Sequence, residues 1–289
     1  MTLPCYGSTC CFSPSKRGPC PDTFRYPDGV DAGSACEVYL AEYRKLFRQF
    51  GDRLAAVIIE PLVQGAAGMV MHPAGFLKGL AVMAAEYDVL LIADEIAVGM
   101  GRTGRMWACQ WEDVQPDILC TGKGLSGGTL PIAATITTRR IWNAFLGSYD
   151  QSRSFFHGHT YGGNPVCAAA ALATLDLFES DRTLEHVSAM SSELTELLQP
   201  LTEHPHVGDV RIRGLAAAVE LVRDKRSLEP YAWSERRGHR VCSTALRHGV
   251  WLRPLGNVVV IMPPLCIGSN ELKLLVEAVR CGIDEATLR

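Results

Sequence analysis

Two stretches of the sequence end in side chains that could do chemistry. The apolar run Val89–Ala93 is followed by Asp94 and Glu95, and the run Ile118–Cys120 is followed by Lys123, which stands between two glycines. Both runs have the length of buried parallel strands, and ligands in open α/β sheets lie beyond the carboxyl ends of neighbouring strands. A lysine amine and a carboxylate there suit pyridoxal phosphate, which needs a covalent amine anchor and an anion facing its ring nitrogen.

Each of these residues also has an ordinary structural interpretation. Lys123 could be a solvated surface lysine in a glycine-rich turn, and Asp94 could be a helix N-cap or part of a surface ion pair. An Asp-Glu doublet after a strand also occurs in nucleotide-dependent enzymes. A phosphate-binding loop of the GxxxxGK[ST] type is excluded, however, because Gly124 stands where Ser or Thr is required.

Helices and strands alternate along the part of the chain that would position these groups. Periodicity predicts helices that begin near Val38 and at Asn164-Pro165 and that cover Pro73–Tyr87, Leu184–Leu201, Ser234–His248 and Asn270–Ala286. It predicts further strands at Leu54–Ile59, Pro131–Thr138, Val210–Leu221, Val250–Arg253 and Val258–Met262. This order predicts an α/β fold with a mainly parallel sheet, followed by a small α+β unit.

Three segments follow from this pattern. Residues 1–50 are predicted to be a poorly ordered leader and a first helix, residues 51–205 a cofactor-binding large domain, and residues 206–289 a small domain. The 289 residues, 47% of them hydrophobic, carry a net charge of −3, which gives no electrostatic reason for binding nucleic acid or a membrane surface. Met1–Pro21 lacks the basic start and apolar centre of a secretory signal, so we expect a cytoplasmic location.

Four of the eleven cysteines cluster near the start of the chain, at Cys5, Cys10, Cys11 and Cys20. A zinc site or disulfides are possible there, but the CxxC pairs of common zinc sites are missing, so no metal is predicted. His157 and His159 are interpreted as a pair of turn histidines, because two ligands alone do not make a metal site.

Two longer motifs surround the chemistry-bearing residues. DEIxxGxGRTG begins at Asp94, and PDILxxGKGLxGG begins at Pro116. From about Leu54 onward the chain resembles the class III pyridoxal-phosphate aminotransferases. The motifs VQGAxGM, PHVGDVR and RPLGNVVVIMPP are similar to those of the branch that makes 7,8-diaminopelargonate for biotin. The resemblance implies a fold-type I large domain, here partial, with a C-terminal small domain.

The resemblance assigns cofactor-binding roles to four residues. Lys123 would anchor pyridoxal phosphate and then move a proton as a general base, and Asp94 would face the ring nitrogen. Ile96 would lie against the ring. Thr160, within HGHTYGGNP, would bind the cofactor phosphate of the neighbouring subunit, which implies a homodimer with shared sites.

The resemblance also assigns the substrate contacts. Arg253 would pair with the carboxylate of the keto acid, and Gly124 would lie beside the substrate; an ordinary surface salt bridge is the alternative for Arg253. Ala66 stands where many ω-aminotransferases have a glutamate, which argues against the branch that uses γ-aminobutyrate or ornithine. The implied reaction transfers an amino group from S-adenosylmethionine, or from lysine in some relatives, to 8-amino-7-oxononanoate.

The first fifty residues do not resemble the family. Its N-terminal portion contains a Gly/Ser-rich loop that cups the cofactor phosphate and an aromatic residue that stacks on the ring, and we expect this chain to lack both. Two alternatives therefore stay open. The chain could be another class III aminotransferase that acts on a diamine or a β-amino acid, or it could be an inactive copy that serves as a dimerisation partner.

Overall fold

The computed structural model describes residues 16–288. Its α-helices are α1 Ala35–Phe50, α2 Phe76–Glu86, α3 Arg139–Ala144, α4 Pro165–Ser180, α5 Thr183–Leu198, α6 Arg237–Arg247 and α7 Ser269–Thr287. Its strands are β1 Ala56–Ile59, β2 Val63–Gln64, β3 Val70–Met71, β4 Leu90–Asp94, β5 Ile118–Thr121, β6 Ala134–Thr137, β7 Val207–Arg213, β8 Ala216–Asp224, β9 Glu229–Pro230, β10 Arg253–Leu255 and β11 Val258–Ile261. Cys5, Cys10 and Cys11 lie outside the described residues.

The first sheet has the strand order β1-β4-β5-β6. Strands β1, β4 and β5 run parallel, with Ile59 paired to Ala93 and Asp94 paired to Cys120. Strand β6 is antiparallel to β5, because the connection between them holds only the one-turn 3-10 helix Lys123–Ser126 instead of a crossover helix. The predicted α/β fold with a mainly parallel sheet is confirmed.

Helices α1 and α2 cover the β1–β4 part of this sheet. Helix α2 buries Phe76, Leu77, Leu80 and Met83, a spacing that places apolar side chains along one stripe of the helix. Tyr39 and Phe47 of α1 share this core. Before α1, residues 16–34 form turns and extended segments, and the Thr23 amide donates to the Met71 carbonyl, at 3.2 Å.

The second sheet is antiparallel, with the order β10-β11-β8-β7 and β9 paired to β8. The prediction of one strand over Val210–Leu221 is wrong, because β7 and β8 form a hairpin that turns at Gly214, whose φ is +63°. The prediction of a strand over Val250–Arg253 is also wrong, since β10 begins only at Arg253.

Helices α5, α6 and α7 pack on the second sheet. Helix α5 contributes Val187, Leu194 and Leu198 to the core of that sheet. The domain limits near residues 50 and 205 stay a prediction. Across residues 16–288, the structure contains no helix with both the length and the apolar character needed to cross a membrane.

A third, smaller core joins the second sheet to the β2–β3 hairpin and to the loop after β4. Met69, in the turn between β2 and β3, and Met71 of β3 share this core with Ala216 and Ala218 of β8. The partly buried Arg102 adds polar contacts by donating hydrogen bonds to the carbonyls of Leu215 and Pro263, at 3.1 and 2.5 Å. Burial lowers the pKa of Arg102 to about 10. Hydrogen bonds and apolar contacts therefore connect the loop after β4 to the second sheet and to the segment after β11.

Candidate active site

The ends of three neighbouring parallel strands gather acidic and basic side chains at one edge of the first sheet. Strand β1 is followed by Glu60, β4 ends at Asp94, and β5 is followed two residues later by Lys123. Because Ile59 pairs with Ala93 and Asp94 pairs with Cys120, Glu60 and Asp94 are at the level of Cys120, and Lys123 follows three residues later. This is the edge at which open α/β sheets bind ligands.

Lys123 has an unusual backbone conformation. Its φ is +43°, in the left-handed region, and it begins the 3-10 turn that follows β5. Such a conformation costs a non-glycine residue roughly 1 kcal/mol. The flanking glycines allow close packing: a Cβ on Gly124 would lie 3.0 Å from the Cβ of Met100, and one on Gly122 would lie 3.6 Å from Cγ2 of Ile96. The lysine side chain itself is exposed.

The two adjacent acids Asp94 and Glu95 face different surroundings. Asp94 is partly buried, and its Oδ1 accepts a hydrogen bond from the Ile96 amide, at 3.1 Å. Glu95 is buried, and its two carboxylate oxygens accept from the amides of Ala108 and Cys109, at 2.9 and 2.8 Å. Burial raises the pKa of Glu95, which these two amides partly offset. Glu95 therefore fixes the loop behind the site, and Asp94 remains at its edge.

Glu60 belongs to this group, although the sequence alone does not assign it a role in the site. Its Oε2 accepts a hydrogen bond from the Gly65 amide, at 3.0 Å. Burial raises the pKa of Glu60, with a smaller increase from the charge of Asp94, while the Gly65 amide and Lys123 act in the opposite direction. The sequence feature that could have identified Glu60 is its position directly after a predicted strand, which is the feature that identified Asp94.

A cavity of about 750 Å³ opens beside Lys123. It lies between the first sheet, α4, α5 and the segment after β11. Its lining includes Ile96, Lys123, Gly124, Arg102 and His186. Lys123 and Ile96 line it, whereas Asp94 and Glu60 do not. We take the strand ends as the chemical centre of the site, because they bring the amine and the carboxylates together.

Two predicted site residues lie apart from the Lys123 cavity. Thr160 is exposed in the segment before α4, and Arg253 is exposed at the start of β10. Neither lines the cavity. The structure thus brings Lys123, Gly124, Ile96 and Asp94 together within one chain, and the roles of Thr160 and Arg253 stay predictions.

The described cysteines and histidines do not assemble a metal centre. Between residues 16 and 288, no group of three or more His, Cys, Asp or Glu side chains is arranged to hold a metal ion. Cys20 is exposed, and its Sγ donates to Oε1 of Gln64, at 3.0 Å. His159 accepts a hydrogen bond from the Tyr161 amide through Nδ1, which is a contact within a turn.

The residues at the strand ends fit two needs of pyridoxal phosphate. Lys123 offers an exposed primary amine on a turn that has glycines on both sides. Asp94 offers a carboxylate at the end of the adjacent strand. These are the amine anchor and the partner for the ring nitrogen that the cofactor requires. Ile96, two residues after Asp94, places an apolar side chain next to Gly122, which precedes Lys123.

Comparison with known proteins assigns the family. The family description "Aminotransferase class-III" matches residues 14–281. The prediction that the first fifty residues do not resemble the family is therefore wrong for residues 14–50. The chain belongs to the class III aminotransferases. Pyridoxal phosphate is the cofactor of this family, which agrees with the interpretation of Lys123 and Asp94.

Curated relatives within this family carry a specific name. The adenosylmethionine-8-amino-7-oxononanoate aminotransferase of Geobacter sulfurreducens is 49% identical over 275 residues, which cover 95% of this chain and 61% of the relative. The protein of the same name from Nitratidesulfovibrio vulgaris is 49% identical over 94% of this chain and 50% of its own length. The chain therefore spans between half and two thirds of the length of these relatives.

Solved structures agree with the family assignment. The adenosylmethionine-8-amino-7-oxononanoate aminotransferase of Methanocaldococcus jannaschii matches with a TM-score of 0.84 at 43% identity, covering 86% of this chain and 58% of that one. An omega transaminase of Pseudomonas jessenii, in complex with PMP, matches with a TM-score of 0.86 at 34% identity, covering 93% and 59%. The fold is thus common to both branches, while sequence identity is higher with the first.

Proposed function

We propose that this chain carries the lysine-bearing part of an aminotransferase site that acts in biotin biosynthesis. The reaction would convert the ketone of 8-amino-7-oxononanoate to an amine, giving 7,8-diaminononanoate, while the amino donor becomes a carbonyl compound. The observation that supports the proposal is that Asp94 ends β4 and Lys123 follows the end of β5, the adjacent parallel strand. The 49% identity with relatives of that name favours this substrate over others in the class.

The residues of this chain would divide the work as follows. Pyridoxal phosphate, when bound, supplies an electron-accepting ring that stabilises negative charge on the reacting carbon. Lys123 would hold the cofactor through Nζ and, once released, take up and return a proton at that atom. The Asp94 carboxylate would keep the facing ring nitrogen protonated, and Ile96 would restrict the tilt of the ring.

The remaining assignments belong to the same proposal. Arg253 would bind the substrate carboxylate through its guanidinium, and Gly124 would leave room for the substrate beside Lys123. Thr160 would reach the cofactor phosphate of a second subunit in a homodimer. The amino donor would be S-adenosylmethionine, with lysine as the alternative, and we place the protein in the cytoplasm.

The visible absorption spectrum tests this proposal. We expect the purified chain to develop a visible band when pyridoxal phosphate is added, because a covalent bond between the cofactor and a lysine amine absorbs there. Lys123→Ala should lose the band, whereas Lys273→Ala, which removes another exposed lysine, should keep it. Adding S-adenosylmethionine or lysine separately and recording which one bleaches the band would then identify the donor.

Two other results would contradict the proposal. If the parent and Lys123→Ala are both colourless while folded by circular dichroism, the chain does not hold the cofactor and the inactive-copy alternative is correct. If the band forms at Lys123 but only a diamine or a β-amino acid bleaches it, the chain belongs with the other class III aminotransferases. The omega transaminase match at a TM-score of 0.86 makes that second result worth measuring.

A further inference from the structure

Two exposed side chains, those of Trp251 and Arg253, lie on the same face of the second sheet. Trp251 is 89% exposed, and Arg253 is the exposed first residue of β10. Val250 and Leu252, the neighbours of Trp251 along the chain, pack instead against the core that this sheet shares with α5, α6 and α7. Because successive side chains of an extended segment point to opposite faces, this alternation places Trp251 and Arg253 together on the other face.

That other face is the one that meets the β2–β3 hairpin. Val260 pairs with Arg253 across β10 and β11. Val260 and Leu255 both pack against the third core, which contains Met69 and Met71. Paired residues of antiparallel strands project from the same face of a sheet. Trp251 and Arg253 therefore project on the side of the second sheet that faces the hairpin and the loop after β4.

Met262 connects this face to the cavity beside Lys123. The pairing of Arg253 with Val260, continued by two residues, brings Trp251 opposite Met262. Met262 is 38% exposed and lines the same cavity as Lys123. Trp251 is thus at the level of the cavity rim, and Arg253 is two residues, or roughly 7 Å, further along the strand.

The guanidinium of Arg253 is available for an anionic ligand. It forms no ion pair with the side chains of residues 16–288, so the surface salt bridge considered as an alternative is not found there. A guanidinium binds a carboxylate through two parallel hydrogen bonds, and an indole ring offers a large apolar surface. Together the two side chains suit a ligand that has an apolar chain attached to a carboxylate.

The keto acid of the proposed function has this form. Five methylene groups separate its carboxylate from its ketone, and the six carbon–carbon bonds between them, each about 1.5 Å long, extend roughly 7.5 Å as a zigzag. This length is close to the separation of Arg253 and Trp251 along the strand. A carboxylate on Arg253 would therefore bring the ketone to the level of Met262, where the cavity that contains Lys123 opens.

We propose that Trp251 and Met262 bind the methylene chain of the keto acid and make Trp251 a specificity-determining residue for its length. The inference rests on the proposed function, in which Arg253 binds the substrate carboxylate. A shorter chain on Arg253 ends before Trp251, so it loses the apolar contact and does not reach the cavity rim. A longer chain gains no contact with the indole beyond that of five methylene groups.

Titration calorimetry with keto acids of three lengths tests the proposal. The probes are 5-oxoheptanoate, 7-oxononanoate and 9-oxoundecanoate, which have three, five and seven methylene groups between carboxylate and ketone. They are added to the full chain without pyridoxal phosphate, because the proposed contacts do not involve the cofactor. We expect 7-oxononanoate to bind about tenfold more tightly than 5-oxoheptanoate, since two more methylene groups leave water. We expect 9-oxoundecanoate to bind no more tightly than 7-oxononanoate.

Substitutions of single tryptophans assign this preference to a residue. Trp251→Ala should weaken 7-oxononanoate binding about tenfold and abolish the difference from 5-oxoheptanoate. Trp251→Phe keeps an aromatic ring and should retain most of that difference. Trp233→Ala is the matched control, because Trp233 is 81% exposed but lies against Gly256, at the opposite end of the β10–β11 hairpin. Circular dichroism of each variant checks that the fold is retained.

Several results would overturn the proposal. The parent chain could fail to bind 7-oxononanoate, or it could bind 5-oxoheptanoate equally well. Trp251→Ala could keep the length preference of the parent, or Trp233→Ala could lose it to the same extent as Trp251→Ala. Failure of the proposed function is distinguishable from these results, because the visible band at Lys123 is recorded without a keto acid. A chain that forms the band but shows no effect of Trp251 would retain the function and lose this inference.

Discussion

At the scale of single residues, Glu95 and His72 show how burial changes the pKa of a side chain. Glu95 is held by two backbone amides, whereas His72 is equally buried and has no such partner. Neither ring nitrogen of His72 has a hydrogen-bond partner among the described residues. Its ring meets Phe76 edge-on, with centroids 5.6 Å apart. Burial lowers the pKa of His72 from 6.5 to about 4.

The titration of His72 predicts a loss of stability in acid. In the folded chain the ring stays neutral until about pH 4, but in the unfolded chain it binds a proton from about pH 6.5 downward. The unfolded state therefore takes up the proton first, and the free energy of unfolding falls through this interval by about 3 kcal/mol from this residue. His72→Leu should remove that part of the fall.

Urea denaturation at several pH values measures this effect. The exposed histidine variant His239→Leu is the matched control and should retain the full fall in the free energy of unfolding. Equal pH dependence of His72→Leu and the parent protein would contradict the prediction.

At the scale of elements, the β7–β8 hairpin is shaped by its contact with the loop after β4. A Cβ on Gly214 would lie 2.4 Å from the carbonyl carbon of Thr103 and 2.5 Å from the carbonyl oxygen of Arg102. The Leu215 amide also donates to the Arg102 carbonyl, at 2.9 Å. The hairpin therefore turns where two backbones approach closely, and only glycine fits at that position.

Gly214→Ala should destabilise the protein more than an ordinary left-handed glycine replacement would. Gly249 is the matched control, because its φ is +79° but a Cβ there would have nothing within 4 Å. We expect Gly249→Ala to cost about 1 kcal/mol, from backbone strain alone. Gly214→Ala should cost roughly 2 kcal/mol more, because backbone atoms must also move. Thermal denaturation of both variants compares them, and equal losses would be inconsistent with the close approach.

This hairpin also shows which elements could be predicted from the sequence. Val210–Leu221 is apolar enough to suggest one strand, and the contact of Gly214 with Thr103 is too distant in sequence to appear in any local pattern. The Asn164 cap is local, and its prediction is confirmed by its bonds to the amides of Val166 and Cys167. Strand ends identified Asp94 and Lys123 for the same reason, while the Glu95 contact with Ala108 needed the structure.

At the scale of the whole molecule, Arg211 connects parts of the chain that are far apart in sequence. Its buried guanidinium donates to the carbonyls of Gly68 and Met69, both at 2.7 Å, and to the carboxylates of Asp209 and Glu220. Glu220 also pairs with Arg25, at 2.8 Å. One side chain thus joins the loop beside Glu60, the second sheet and the segment that precedes α1.

Removing this guanidinium should cost far more than removing an exposed one. Arg211→Ala removes a donor from two partly buried carboxylates and two carbonyls and leaves Glu220 with Arg25 alone. We expect a loss of about 3 kcal/mol in the free energy of unfolding. Arg280→Ala breaks contacts with Glu277 and Asp284 on an exposed face of α7 and should cost under about 1 kcal/mol. Urea denaturation of the two variants tests this difference, and similar losses would argue against a joining role for Arg211.

The left-handed backbone of Lys123 also has a consequence for how this sequence can change over generations. Glycine adopts that conformation without strain, so replacing the lysine with glycine would relieve backbone strain at this turn. A copy that no longer needed an amine would lose nothing by that mutation and would become more stable. Position 123 should therefore drift towards glycine in any related sequence in which selection for the amine has ended.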